Sequence, residues 1–312
     1  MTVEKVDTLV VGGGQAGLAA SEHLSNHKVP HLVVERHRIA ERWRSERWDS
    51  LVANGPAWHD RFPTMSFADL DPDSFASRDE IVNYFVTYAE KIGAPVRSGV
   101  EVTALHQTED GSAFRAETDQ GIIEARNVIA ATGPFQKPVI PAILPGESGI
   151  AQLHSSSYRN PGQLPAGACL VVGAGSSGVQ IADELGRAGR TVYLSVGPHN
   201  RPPRRYRGRD FVWWLGALGL WDVKTYDPAL EHVTIAVSGA HGGHTVDFRK
   251  LAAAGITLVG RAESYRDGKM RFAPDLAKNI AGGDTDYLSV LSAADAYITR
   301  EGLGLPEESA AH

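Results

Sequence analysis

Short apolar runs alternate with a helical pattern over the first 35 residues of the chain. The run Val6–Val11 is rich in β-branched residues, which is typical of a buried parallel strand. A stretch with apolar residues at helical spacing follows, and a second apolar run, Leu32–Val34, ends on Glu35. This order predicts a strand–helix–strand unit with its two strands parallel.

Three glycines between the first strand and the helix, Gly12, Gly14 and Gly17, have the spacing G-x-G-x-x-G. The first glycine of such a pattern allows a tight turn, the second lets a pyrophosphate approach the backbone, and the third lets helix and strand pack closely. Glu35 follows near the spacing of about 20 residues expected of a carboxylate that binds a ribose hydroxyl. The pattern predicts a dinucleotide site. The alternative is a glycine-rich turn in an ordinary βαβ unit, which does not require the acid.

A capped helix and a group of antiparallel strands are predicted in the next hundred residues. Ser77 and Glu80 form a capping box at the start of the helix. Three apolar runs separated by turn residues predict the antiparallel strands, and a further parallel strand follows them: Val100–Leu105, Ala113–Thr118, Gly121–Ala125 and then Asn127–Ala131.

The parallel strand ends in the small residues Ala131, Thr132 and Gly133. Ligands bind at the carboxyl edge of a doubly wound sheet, so this loop is a candidate for cofactor contact. Taken alone, it is equally consistent with a plain turn.

The glycine pattern recurs after a proline-rich stretch, 138–165, that reads as a linker. An apolar run, Cys169–Val172, precedes Gly173, Gly175 and Gly178, and a helix and a strand are predicted at Val179–Ala188 and Thr191–Val196. The predicted fold class is therefore α/β: two Rossmann-like dinucleotide-binding domains with parallel sheets, 1–160 and 161–312, with a small antiparallel insertion in the first.

The second unit has no acid where the first has Glu35. Three arginines, Arg201, Arg204 and Arg205, lie just beyond its second strand. A missing acid with arginines nearby is the arrangement that accepts a 2′-phosphate, which favours NADP over NAD. The alternative is that these arginines belong to a solvated loop.

The last third of the chain offers further elements but no second chemistry. Phe211–Trp221 predicts a buried helix or the wall of a substrate channel, with a segment that binds a membrane surface as the alternative. His241 and His244 predict a loop because no third metal ligand is nearby. The remaining elements predicted are a helix capped by Thr245, two strands and a helix: Thr245–Ala254, Ile256–Val259, Gly268–Phe272 and Tyr287–Thr299.

Composition excludes several classes of function. The net charge of −6 over 312 residues argues against a nucleic-acid-binding protein, which needs a surplus of Lys and Arg. The single cysteine, Cys169, leaves no redox pair for a disulfide reductase. No signal-peptide pattern and no apolar run long enough for a membrane span are present in the sequence, so a cytoplasmic protein is expected.

Four stretches together resemble the flavin-containing monooxygenases and their bacterial relatives, the CzcO-type flavoproteins: VVGGGQAGLA, ERWRSERWDSL, Ala131-Thr132-Gly133 and VVGAGSSGVQIADEL. His154-Ser-Ser-Ser-Tyr158 resembles the second half of the F-x-G-x-x-x-H-x-x-x-[HY] signature of that family. The first half departs, with Ser148 in place of Phe and Ile150 in place of Gly. Tyr158 in place of Trp favours N- or S-oxygenation over Baeyer–Villiger chemistry.

The resemblance implies two cofactors and a set of residues for each. FAD would be bound by the first fingerprint and its surroundings, with Val102 contacting the adenine through its backbone: Gly12, Gly14, Gln15, Ala16, Gly17, Glu35, Arg36, Trp43, Trp48, Val102, Ala131, Thr132 and Gly133. NADPH would be bound by the second fingerprint and the arginines beyond it: Gly173, Gly175, Ser176, Ser177, Gly178, Arg201, Arg204 and Arg205. Asn54 falls near the family's asparagine that faces the flavin, and is the candidate catalytic residue.

The implied activity is an NADPH-dependent monooxygenase that reduces FAD and uses O₂ to oxygenate a small nucleophilic substrate. Its partners would be that substrate and O₂, without nucleic acid, and a homo-oligomer is compatible with the sequence. Family members usually return to a second Ala-Thr-Gly strand that closes the flavin domain, and this sequence shows no such return. The resemblance therefore also leaves open a non-catalytic flavin- or NADP-binding module.

Overall fold

The computed structural model describes residues 3–146, 148–224 and 233–308, and the chain divides into two units. Unit 1 comprises Met1–Ser50, Asp60–Pro72 and Ala76–Val139. Unit 2 comprises Leu51–His59, Asp73–Phe75 and Ile140–His312, so two short segments from the first half of the chain belong to it. Whether cofactor binding divides at the predicted domain limits, 1–160 and 161–312, stays a prediction.

Six strands of the described residues form the sheet of unit 1, in the order β3-β2-β1-β6-β5-β4. The first four of these are parallel and the last three, which include β6 again, are antiparallel. All of these strands except β3 were predicted from the sequence. The two runs expected as separate strands after residue 120 form one continuous strand, β6. The elements of this unit are β1 Val3–Val11, α1 Gln15–Asn26, β2 His31–Glu35, α2 Glu41–Ser45, α3 Arg78–Lys91, β3 Val96–Ser98, β4 Val102–Gln107, β5 Phe114–Thr118 and β6 Gly121–Ala130.

The core of unit 1 lies on the parallel strands, because their apolar side chains are covered on the face that the helices pack against. Leu9, Val10 and Val33 have less than 1% of their surface exposed. The predicted capping box is confirmed: the Ser77 hydroxyl accepts from the Glu80 N–H, and the Glu80 carboxylate accepts from the Ser77 N–H. This cap starts α3 at Arg78.

The sheet of unit 2 is smaller. Three described strands pair in parallel in the order β13-β8-β7, and α4 buries one face with Val179, Ile181, Ala182 and Leu185. The elements are β7 Cys169–Val172, α4 Ser176–Arg187, β8 Val192–Ser195, β9 His199–Asn200, β10 Arg205–Tyr206, β11 Arg209–Asp210, α5 Phe211–Ala217, β12 Thr234–Ile235, α6 Phe248–Ala253, β13 Thr257–Val259, β14 Ala262–Arg266, β15 Lys269–Phe272 and α7 Leu276–Glu301.

Two predicted helices of unit 2 differ from the structure. α6 begins after Asp247, whose carboxylate accepts from the Arg249 and Lys250 N–H groups. Thr245, the predicted cap, instead accepts a hydrogen bond from the Arg204 N–H. The last helix, α7, begins eleven residues before the predicted start at Tyr287, since the interior pair Gly282 and Gly283 does not interrupt it.

No helix within the described ranges of the chain is long and apolar enough to cross a membrane.

Candidate functional site

A cleft of about 630 Å³ opens in unit 1 at the carboxyl ends of its parallel strands. It lies where the strand order reverses between β1 and β6, which is the position at which ligands bind in open α/β sheets. Its walls contain most of the residues predicted for the first cofactor. These are Gly12, Gly14, Gln15, Ala16, Glu35, Arg36, Trp43, Val102, Ala131, Thr132 and Gly133.

The three glycines of the first fingerprint occupy different environments. Gly12 has φ +114°, and a Cβ there would overlap the Ala131 carbonyl. A Cβ on Gly17 would overlap the Gly12 carbonyl, so this glycine lets α1 pack against the loop. Gly14 has no described atom within 4 Å of the position that a Cβ would take. The loop therefore leaves open space at the glycine that a pyrophosphate approaches.

Glu35 lies at the end of β2 with its carboxylate held against the glycine loop. Its Oε2 accepts from the Gly13 N–H at 2.8 Å, and its Oε1 accepts from the His37 N–H at 2.9 Å. An ionised carboxylate has about four lone-pair sites, so two bonds orient Glu35 and leave capacity for ribose hydroxyls.

The aromatic and basic segment after β2 contributes unequally to the cleft. Trp43 on α2 lines it, whereas Trp48 is 5% exposed and lies outside its described lining. Arg36 lines the cleft and is 3.6 Å from a Glu101 oxygen. Arg42, also in the wall, donates to the Phe135 carbonyl and to the Gln136 side chain, which joins α2 to the loop after β6.

Phe135 and Gln136 were not among the predicted site residues, although both line the cleft. Phe135 exposes 72% of its surface, which is unusual for a large aromatic side chain. The signal in the sequence is their position directly after the Ala-Thr-Gly loop, within reach of any ligand that contacts it.

The second fingerprint repeats the backbone of the first. Gly173 has φ +107°, and a Cβ on Gly178 would overlap the Gly173 carbonyl, as at Gly12 and Gly17. The middle glycine differs from Gly14, because the Thr234 Cβ lies 3.3 Å from the position that a Cβ on Gly175 would take. The space open in the first loop is therefore partly filled in the second by a side chain of β12.

Hydrogen bonds hold β12 over this second loop. The Ser176 hydroxyl donates to the Ile235 carbonyl at 2.9 Å and accepts from the Val237 N–H at 3.3 Å. Ser177, the next predicted residue, is exposed. Ile235 and Val237 therefore contact the N-terminal turn of α4 directly.

The three predicted arginines already have partners within unit 2. Arg201 donates to Asp284 at 2.6 Å, and Arg204, 3% exposed, forms an ion pair with Asp210 at 2.5 Å. Hydrogen bonds from Arg249 and Arg201 lower the pKa of Asp284 to about 2. Arg205 is exposed and donates to the Asp73 carbonyl at 3.2 Å. A phosphate would have to compete with carboxylates for two of these three side chains.

Asn54, the candidate catalytic residue, lies in one of the short segments that belong to unit 2. Its Oδ1 accepts from the Gln180 side chain at 3.0 Å, and its backbone carbonyl accepts from Arg204 at 2.8 Å. Tyr158, from the half-matched signature, is buried and donates to Glu184 at 2.6 Å.

Comparison with known proteins places this geometry in a family. The profile of the pyridine nucleotide-disulphide oxidoreductases matches residues 9–215, which include both fingerprints. The chain belongs to this family. The sequence contains one cysteine, Cys169, and therefore no pair of cysteines.

Individual relatives refine the assignment. A CzcO-like oxidoreductase of Geobacillus kaustophilus is 41% identical over 70% of this chain and 62% of its own length. The indole-3-pyruvate monooxygenase YUCCA1 of Oryza sativa subsp. japonica is 32% identical over 60% of this chain and 47% of its own. A flavin monooxygenase mutant of Stenotrophomonas maltophilia has the same fold, with a TM-score of 0.66 and 23% identity over 86% of this chain and 74% of that one.

These similarities confirm the predicted resemblance to CzcO-type flavoproteins and flavin-containing monooxygenases, and the predicted α/β class with Rossmann-like domains. The chain spans about three fifths of the length of the CzcO-type curated relatives that it matches, 62% and 61%.

Proposed function

We propose that this oxidoreductase is an FAD-dependent monooxygenase that takes electrons from NADPH and oxygenates a small organic nucleophile at nitrogen or sulfur. The observation that carries the proposal is the cleft of unit 1, in which the first fingerprint, Glu35 and the Ala-Thr-Gly loop meet. Bound flavin would supply the redox and oxygen chemistry, and the protein would supply binding and orientation.

The residues of the cleft fit a flavin dinucleotide. The N-terminus of α1 and the open space at Gly14 suit a pyrophosphate, because free N–H groups and the helix dipole both favour an anion there. Glu35 would accept from the hydroxyls of the adenosine ribose, and Arg36 would lie beside the same half of the cofactor. Trp43 and Val102 supply apolar wall, and Gln15, Ala16 and residues 131–133 would contact the rest.

The second fingerprint is the proposed site for NADPH. Gly173, Gly175 and Gly178 have the backbone that a pyrophosphate needs, and Ser176 and Ser177 begin the helix behind it. Thr234 must move away from Gly175 before a pyrophosphate can take the position that the fingerprint prepares. Arg205 is the arginine best placed for a 2′-phosphate, since Arg201 and Arg204 are engaged with carboxylates.

Asn54 is proposed as the residue of unit 2 that contacts the reacting part of NADPH. Its side chain is exposed, so its amide is accessible to a bound group. The cytoplasmic location and the oligomeric state stay predictions.

One observation favours a second candidate function, a non-catalytic flavin-binding module. The Thr234 side chain of β12 fills the space beside Gly175 in the second loop. The Ser176 hydroxyl holds this segment by donating to the Ile235 carbonyl and accepting from the Val237 N–H. A protein in which that contact persisted would bind FAD without accepting NADPH.

The two functions are separated by one set of measurements on the purified full chain. The protein is reconstituted with FAD, and flavin absorbance is followed after NADPH is added in air. In a monooxygenase the flavin absorbance falls as the flavin is reduced and returns as it is reoxidised. With amine or sulfide substrates, one atom of labelled O₂ appears in the product. Flavin that stays oxidised with NADPH supports the module, and a chain that retains no FAD contradicts both.

A further inference from the structure

Asn54 and the residue before it are held by three contacts within unit 2. The side chain accepts from Gln180 on α4, and the backbone carbonyl accepts from Arg204. The residue before it, Ala53, is in close contact with Gly239, because a Cβ on Gly239 would overlap the Ala53 carbonyl. The loop is therefore fixed from both sides within unit 2.

The hydrogen bond from Arg204 to the Asn54 carbonyl rests on a buried ion pair. Arg204 forms two hydrogen bonds with Asp210, at 2.5 and 3.0 Å, and its guanidinium lies 4.7 Å from the centre of the Phe75 ring. A buried arginine that is paired and stacked loses little further freedom when it donates to the Asn54 carbonyl. This arrangement fixes the position of the backbone at Asn54.

The orientation of the Asn54 amide follows from Gln180. The Gln180 Nε2 lies 2.8 Å from the Val237 carbonyl oxygen, which can only accept a hydrogen bond. The same Nε2 lies 3.0 Å from Asn54, so the Asn54 atom that faces it must be the acceptor, Oδ1. The Asn54 Nδ2 then points away from Gln180, and its two N–H donors have no partner among the described residues.

We infer that Gln180 is a positioning residue, which fixes the Asn54 amide so that its N–H₂ group, and not its oxygen, is presented to a hydrogen-bond acceptor of the dinucleotide bound by unit 2. This inference rests on the proposed function for the identity of the ligand, whereas the orientation rests on the contacts within unit 2. The nicotinamide group carries a carbonyl oxygen that accepts such a bond.

The test compares two substitutions at one position. Gln180→Ala removes both donors and the side chain. Gln180→Glu keeps the shape but leaves only acceptors, so Asn54 is expected to turn its N–H₂ group toward the new carboxylate and present Oδ1 instead. Gln107→Glu, on the exposed strand β4, makes the same chemical change away from the site and is the matched control.

The first readout needs no cofactor. The ¹⁵N order parameter of the Asn54 side-chain amide, assigned by its loss in Asn54→Asp, is expected to be clearly lower in Gln180→Ala than in the wild-type chain. An unchanged order parameter in Gln180→Ala overturns the inference.

The second readout uses the enzyme loaded with FAD and NADPH. We expect kcat for oxygenation to fall about ten- to a hundredfold in Gln180→Ala and at least as far in Gln180→Glu, with KM for NADPH little changed. Gln107→Glu should match the wild type. A wild-type kcat in Gln180→Glu overturns the inference, because the reaction would then be insensitive to which atom Asn54 presents.

The two readouts also separate this inference from the proposed function. If the Asn54 order parameter falls in Gln180→Ala while the wild-type protein shows no oxygenation, the positioning contact stands and the proposed function fails. If oxygenation is present and Asn54→Ala abolishes it but both Gln180 variants retain it, the proposed function stands and the positioning role is overturned.

Discussion

Gly14 and Gly175 occupy the same position of the same motif, yet a methyl group at each would meet different surroundings. Nothing in the described chain lies within 4 Å of that methyl at Gly14, whereas Thr234 lies beside it at Gly175. Gly14→Ala should therefore leave the stability of the ligand-free protein nearly unchanged and weaken FAD binding about tenfold or more, because the methyl group would occupy the space of the pyrophosphate. Thermal unfolding without ligand and a fluorescence titration with FAD measure the two effects.

Two other glycines serve as controls for Gly14→Ala. Gly282→Ala, in the interior of α7 with the same open surroundings, should bind FAD normally. Gly17→Ala should fail to fold, because its methyl group would overlap the Gly12 carbonyl. Unaltered FAD affinity in Gly14→Ala would show that the pyrophosphate does not approach the first loop.

His199 makes the stability of unit 2 dependent on pH. It is 3% exposed, its Nδ1 bonds to the Gly197 carbonyl, and its Nε2 has no partner among the described residues. Burial, assisted by the nearby Arg201 charge, lowers the pKa of His199, while Gly197 and Asp284 oppose that shift. In the unfolded chain His199 therefore binds a proton near the ordinary pKa of about 6.5, whereas in the folded chain it binds one only at a lower pH.

The sign follows from this difference. The contribution of His199 is fully present above about pH 6.5 and is lost as the pH falls from there toward the lower folded pKa, by at most about 1.4 kcal/mol per pH unit. Urea unfolding at pH 7.5 and 5.5 should show a larger loss for the wild type than for His199→Gln, which keeps the other eleven histidines. Equal losses in the two proteins would contradict this assignment.

At the scale of elements, the sequence patterns correctly predicted the helices and strands whose limits are fixed by interactions between residues close in the chain. β-Branched runs, glycine turns and the Ser77 cap act within a few residues, and the elements they predict are confirmed within a few positions. The predicted start of α6 was wrong because Thr245 and Asp247 are both good caps. In the structure the Thr245 hydroxyl accepts a hydrogen bond from the N–H of a distant residue, Arg204, and Asp247 caps the helix. Which of two possible residues caps a helix depends on the segments that pack beside it in the fold. The residues next to it in the sequence do not determine this.

β12 and the start of α4 form the contact that most affects the proposed NADPH site. Thr234→Gly removes the side chain that lies over Gly175 while leaving the pairing of β12 with β9 in place. We expect NADP⁺ to bind a few-fold to about tenfold more tightly, since the ligand no longer has to displace that side chain; tenfold corresponds to about 1.4 kcal/mol. Calorimetric titration of the FAD-loaded protein measures it.

Thr257→Gly is the control for that experiment, because Thr257 is likewise an exposed threonine in a short strand of unit 2. It should leave NADP⁺ affinity unchanged. If Thr234→Gly binds NADP⁺ no better than the wild type, β12 does not limit access to the second fingerprint.

At the scale of the whole molecule, the first site was largely predictable and the second was not. The first is built from residues around one βαβ unit and the strand beside it, so the fingerprint, Glu35 and residues 131–133 pointed to one cleft. In the second, Gln180 meets Asn54 from 126 positions away, and Ser176 meets Ile235 from 59. Periodicity and spacing carry no information about such pairs. The resemblance to a family indicated Asn54 as a site residue, but it did not indicate the residues that bond to it.

The two proposed nucleotide sites predict two separate patterns of protection from hydrogen exchange. FAD, at about 100 times its Kd, stabilises the state that binds it by about 2.7 kcal/mol and should slow exchange in residues 12–17, 35–43 and 131–136. NADP⁺ added afterwards should slow exchange at 173–180 and, because β12 must shift, speed it at 234–238. Residues 288–301 of α7 provide the internal reference in both experiments. Protection of the second fingerprint by FAD alone would contradict the division of cofactors proposed here, because one dinucleotide would then occupy both loops.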